Sequence, residues 1–207
     1  MFKFKKSSCV VVGTFNTYII QPHWLSEVGI FPSGATVEIL TDIRNPGIRF
    51  SLSEQPENDN RIWNVRPDRL SVESTTLGVD CGEPIARVLE ELQWTPIDAV
   101  GCNIIFDSHI DHYDKISHLF NDSENIEGYK TIQRAWHRTL ASETRQFNIH
   151  ITVEDEKILL TLNSNTDAKT LGSIRESNSK AQLACKEFKQ QTEEVHKIAQ
   201  TLFGMEF

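Results

Sequence analysis

The chain has 207 residues, 39% of them hydrophobic and 24% charged, with a formal net charge of −8. That length suits one large domain or two small lobes on a shared core, and the composition is that of an ordinary globular protein. The acidic balance argues against a general nucleic-acid or membrane-surface role, since both need a basic footprint; Arg134, Arg138 and Arg145 come nearest to one.

The opening MFKFKKSSCVVVG carries lysines ahead of an apolar run, but the run stops at Gly13, too short for a signal segment with a cleavage site. No later run approaches membrane-spanning length, so the cytoplasm is the expected location. Residues 8–20 are β-branched and apolar and read as a buried strand. In QPHWLSEVG, Pro22 suits the first helical position and Gly29 the C-terminal cap, so a short helix presents Trp24, Leu25 and Val28. TVEILTDI and GIRFSL flank RNPG, which is turn chemistry, and form a hairpin. RIWNV and RLSVEST read as two more strands, bent at Pro67, where a central ladder cannot continue. EPIARVLEELQW is the clearest helix: Ile85, Val88, Leu89 and Leu92 share one face behind Pro84.

The second half opens with a strand, IDAVGCNIIF, and a short helix, DHYDKISHLF. In YKTIQRAWHRTLAS, Ile132, Trp136 and Leu140 share a face at either period; the segment is read as a strand. FNIHITV alternates cleanly, EDEK turns the chain, and ILLTLN pairs back as an antiparallel hairpin. From Ser179 a long helix carries Ala181, Ala184, Phe188, Gln191, Val195, Ile198 and Leu202 in one stripe, which lies along a surface or meets a partner helix.

This order of elements predicts an α+β fold: a largely antiparallel sheet of about eight strands, helices mainly on one face, and a long C-terminal helix. Strand, helix, further strands, helix occurs once in 8–95 and again in 97–205, and both halves open on Val-Gly, which suggests internal duplication within a single domain spanning 1–207. The four cysteines, Cys9, Cys81, Cys102 and Cys185, form no C-x-x-C pair; Cys9 and Cys102 lie in apolar runs and read as buried free thiols.

One segment invites a chemical reading. IIFDSHIDHYDKI places Asp107, His109, Asp111, His112 and Asp114 close together. D-x-H-x-D-H differs at one position from the H-x-H-x-D-H metal motif of metallo-β-lactamase-like hydrolases, and LGVDCG resembles their Asp-x-Gly; imidazoles and carboxylates at a strand end are how a hydrolytic zinc site is built. Three features point the other way. Asp107 stands where that motif has His, YDK replaces Gly-Gly, and no later His lies in a glycine-bearing loop, since His137 and His150 fall in expected strands. Asp111 as N-cap, with Asp114 three residues on, accounts for the same residues as a helix start. His23 reads as a surface residue and Trp24 as core. RAWHR, with Arg134, Trp136, His137 and Arg138, has the residue types that stack on bases and pair with phosphate. No nucleophile elbow, P-loop or dinucleotide motif is present, so no catalytic residue and no cofactor is nominated.

IIQPHWLSEVGIF, VRPDRLSVEST, TPIDAVGCNI and FNIHITVEDEKILLTLNSN, in that order, resemble a group of bacterial proteins of similar length. The resemblance covers most of the chain. It implies a sheet-rich α+β protein of bacterial origin, with DSHIDHYDK at a variable strand-to-helix junction; it supplies no activity to transfer. A role in a bacterial stress or phage-defence system is part of the functional expectation, not of the resemblance. The expected function is therefore a non-enzymatic cytosolic protein that binds a protein partner or itself as a homo-oligomer. The alternative is a metal-dependent hydrolase using Asp107, His109, Asp111 and His112.

Overall fold

The computed structural model describes residues 2–40, 47–53, 60–120, 133–143, 145–154, 156–169 and 172–203. In β1 (Lys3–Gly13), Ser7, Cys9 and Val11 are buried, while Ser8, Val10 and Val12 turn to the other side. The strand expected over 8–20 thus starts earlier and stops at Gly13. A close crossing stops it there: a Cβ on Gly13 would lie 2.4 Å from the Pro96 carbonyl oxygen. Gly13 N then donates to Asp68 O at 3.1 Å and Phe15 N to Pro67 O at 2.9 Å.

Helix α1 (Pro22–Glu27) starts on Pro22 as expected and buries Leu25. Gly29, at φ +69°, takes the left-handed turn that ends it. β2 (Val37–Leu40) and β3 (Ile48–Leu52) pair antiparallel, as the hairpin reading requires; residues 41–46, with most of the RNPG turn, lie outside the described residues. β4 (Ile62–Arg66) and β5 (Arg69–Ser74) form a hairpin turning at Pro67 and Asp68, where proline's missing N–H does no harm. In α2 (Glu83–Glu91), Ile85, Val88 and Leu89 are buried. Gly82 is its N-cap, and Asp80, the Asp-x-Gly residue of the hydrolase reading, holds the entry to the helix: Oδ1 accepts from Gly82 N at 2.9 Å and Glu83 N at 3.0 Å.

β6 (Ile97–His109) runs past Phe106 to His109. The helix expected next is a pair of 3-10 segments, Ile110–Lys115 and Ser117–Leu119, and its cap is His109 in place of Asp111. β7 (Gln133–Ala141), β8 (Gln146–Glu154) and β9 (Lys157–Asp167) follow; Ile132 lies outside the described residues. The nine strands lie in the order β2-β3-β4-β5-β1-β6-β9-β8-β7, each pair antiparallel. Each half begins on an inner strand, β1 or β6, and its last strand returns beside that starting strand. The two Val-Gly pairs are not equivalent, because Gly13 closes β1 whereas Gly101 sits within β6 opposite Val10.

The single C-terminal helix expected from Ser179 is two. α3 (Ile174–Lys186) opens on a capping box: Ser173 Oγ accepts from Glu176 N at 3.3 Å and Glu176 Oε2 from Ser173 N at 2.8 Å. The helix breaks at Glu187, and α4 (Phe188–Phe203) continues. The break lets one stripe serve two cores. Ala181, Ala184, Cys185 and Phe188 join a cluster with Cys9, Val11, Leu70 and Leu89; Val195 and Ala199 join another with Phe106, Ile151, Leu160 and Leu162. Buried Gln191 ties the seam, donating to Ala184 O at 2.9 Å while its Oε1 accepts from Ser164 Oγ at 2.9 Å. All of this packing is against one face of the sheet, as expected. It also means the stripe is largely covered by the chain's own core and leaves little for a partner helix.

Candidate interaction surface

The other face of the sheet carries no helix among the described residues. Side chains alternate along a strand, so residues in register across strands line up in rows. One row crosses the middle of this face. Asn148 stands opposite Asn163, Asn163 opposite Asn103, and Asn103 opposite Ser8. Their side chains form a chain of hydrogen bonds: Asn148 Nδ2 to Asn163 Oδ1 at 3.1 Å, Asn163 Nδ2 to Asn103 Oδ1 at 2.8 Å, and Asn103 Nδ2 to Ser8 Oγ at 3.3 Å. Thr139 Oγ1 extends it to the edge strand, donating to Asn148 Oδ1 at 3.0 Å. Beyond Ser8 the row reaches Glu73, whose carboxylate accepts from Lys6 Nζ at 2.9 Å and Arg49 Nη2 at 2.8 Å. The neighbouring row holds His137 opposite His150, with ring centroids 6.1 Å apart. The asparagine row is half-buried and polar, with Asp107, Glu154, Lys157 and Asp167 toward the strand ends of the same face, and its amides still have donors and acceptors to offer.

The signal for this row was present in the strand parity. In FNIHITV and ILLTLNSN the residues between the apolar ones are Asn148, His150, Thr152, Thr161, Asn163 and Asn165. The same parity puts His150 on the outer side with them. The partnership among the asparagines was not legible there, since strand order alone decides which polar residues meet.

The residues of the metal reading are spread along the strand end. Asp107 sits on the open face, at a hollow of about 790 Å³ shared with Lys5, Glu154, Glu156 and Lys157. His109 Nδ1 lies 3.0 Å from Asp111 Oδ2 and accepts from Asp111 N at 3.4 Å, so the two serve the start of the 3-10 segment. His112 lies further along that segment. Among the described residues, no three His, Cys, Asp or Glu side chains form a group that could hold a metal ion. His23 is exposed and lies 3.2 Å from Glu27; Trp24 packs on the first core.

The basic cluster is divided by the pleat. Arg134, Trp136, Arg138 and Leu140 face the helix side, opposite Val153, Ile151, Ile149 and Phe147, while His137 faces away. The Arg134 guanidinium lies 5.6 Å from the Tyr113 ring, and Trp136 meets Phe203 edge-on at 6.1 Å. Arg145 pairs with Glu187 and Glu194. These residues do not make one basic, aromatic platform of the kind that single-stranded nucleic acid needs.

All four cysteines converge in the first core. Cys9 faces Cys102 across the central strand pair, and its Sγ lies 3.8 Å from that of Cys185; Cys81 Sγ lies 3.9 Å from Ser7 O. The bond with Cys102 pulls the Cys9 thiol down, but the bond with Cys185 and burial carry it well above the usual thiol range. The bond with Cys9, then burial, raises Cys102 in the same way. Cys9 and Cys102 are the buried free thiols expected, and Cys81 and Cys185 are buried and free as well. A cleft of about 220 Å³ lies between α4 and residues 77–79, floored by Ser7 and Ile104. His196 lines it, 5.7 Å from the Phe106 ring, and burial lowers the pKa of its imidazole.

No protein-family model matches the chain, and no curated protein matches it. Among the described residues no helix is long and apolar enough to cross a membrane.

Proposed function

We propose that this chain is a non-enzymatic cytoplasmic protein that binds protein and associates with itself. One observation supports the reading above others: among the described residues the nine-stranded sheet has helices on one face only, and the opposite face is a built polar surface held by the Ser8–Asn103–Asn163–Asn148 chain. Such a face, together with the two sheet edges, is where a binding or assembly protein makes its contacts. A role in a bacterial stress or phage-defence assembly belongs to the same proposal. So does duplication, which the return of β5 beside β1 and of β9 beside β6 supports.

The test is light scattering of the full chain over a wide concentration range. The expected mass exceeds one chain; a strictly monomeric protein at the highest soluble concentration overturns self-association. Elemental analysis bears on the non-enzymatic half. Stoichiometric zinc, iron or manganese, lost on substituting His109 and His112, overturns it.

A further inference from the structure

We infer that β7 is the self-association surface, and that two copies join antiparallel about a two-fold axis at His137, so that their sheets run on as one. This rests on the self-association proposed above and adds the element and the register.

The two ends of the sheet differ. β2 is four residues long, whereas β7 is nine and pairs with β8 at every position from Gln133–Glu154 to Ala141–Gln146, with no shift in register. It contains neither Pro nor Gly. Short edges, bulges and prolines are among the ways sheets avoid further pairing, and β7 has none of these three; the guard it does carry is a pair of arginines, Arg134 and Arg138. No described strand lies on its outer side.

For a second copy, the charges on β7 select the register. Its two charged side chains are both arginines, Arg134 and Arg138, on the helix-facing side. A two-fold axis normal to the sheet keeps the helices of both copies on one side and pairs residues of equal parity. With the axis at Trp136, Arg134 would stand opposite Arg138; with the axis at Arg138, that residue would oppose itself. With the axis at His137, all nine residues overlap, Arg134 meets Leu140 of the other copy, and Arg138 meets Trp136. Like charges directly opposite destabilise a strand pair, while an arginine beside an indole is attractive. On the open face the one self-opposed residue is His137.

His137 therefore gives a charge-swap test on the full chain. Wild-type protein is expected to scatter as a dimer, and His137→Glu and His137→Lys each as a single chain of 23.6 kDa. Mixed in equal amounts, the two variants are expected to recover the dimer mass. His137 is exposed, so both variants should keep the wild-type far-ultraviolet circular dichroism. Variants that stay dimeric place the join elsewhere and overturn this inference while leaving self-association standing. Monomeric variants that fail to recover on mixing overturn the His137 register. A monomeric wild type overturns both proposals, including where an added acidic strand peptide binds β7.

Discussion

Cys9, Cys81, Cys102 and Cys185 behave as small apolar side chains within the first core. Each is at most 1% exposed. The thiolate is the reactive form; the bond with Cys185 at Cys9 and the bond with Cys9 at Cys102, then burial, suppress it. A disulfide-exchange reagent is therefore expected to titrate no thiol in the native protein and all four after denaturation; rapid reaction of any one in the native state would show that this core opens. His196 gives a pH dependence of definite sign. Burial lowers its pKa from the usual 6.5, so the unfolded chain takes up a proton where the folded chain does not. Its contribution is complete above the usual value and is lost as pH falls through the lower, folded value. The melting temperature is expected to decline as pH falls below the usual 6.5, and His196→Phe to make that decline shallower. Burial of Cys9 and Cys102 was legible from their apolar neighbours; that of Cys81 and Cys185, beside charged residues, was not. The capping role of His109 was not, because Asp111 is the better cap by type and only the length of β6 decides between them.

Elements were most legible where a single physical cause sets them. Pro22 and Gly29 bound α1, and the alternation of Phe147, Ile149, Ile151 and Val153 marks β8. The division of the C-terminal helix was hidden because position 187 holds neither Gly nor Pro and the apolar stripe steps evenly across it. What bends the chain is the need to reach two clusters at once. The start of α3 was likewise missed, although Ser173 and Glu176 spell a capping box. Ser173→Ala is expected to cost about 1 kcal/mol in urea unfolding. Gly82 tests the packing of α2 on α3. Its backbone angles suit any residue, yet an added Cβ would lie 2.1 Å from Cys185 O. Gly82→Ala must push the helices apart, at about 1–3 kcal/mol; a variant as stable as wild type would show the helices free to slide.

At the scale of the whole molecule, two hydrophobic clusters lie under one sheet, and a chain with two cores has the option of unfolding in two steps. Three connections oppose that. β1 and β6 pair from Lys3–Asp107 to Gly13–Ile97 across the boundary between the halves. α3, from the second half, packs on α2 and fills the first core, so the first cluster is incomplete without residues 181–188. Gln191 bridges Ser164 of β9 and the Ala184 carbonyl at the seam. Neither half can bury its apolar face without strands or helices supplied by the other. The chain is therefore expected to unfold in one transition. Leu89→Ala, in the first cluster, and Leu162→Ala, in the second, should each lower the urea midpoint by an amount worth about 2–5 kcal/mol. In both variants circular dichroism and tryptophan fluorescence should still report coincident curves of unchanged slope. Trp63 lies in the first cluster and Trp136 against the second, so fluorescence samples both. If Leu162→Ala splits the curve, with Trp63 buried through the first step, the crossing of α3 does not couple the halves and the chain is two domains sharing an edge.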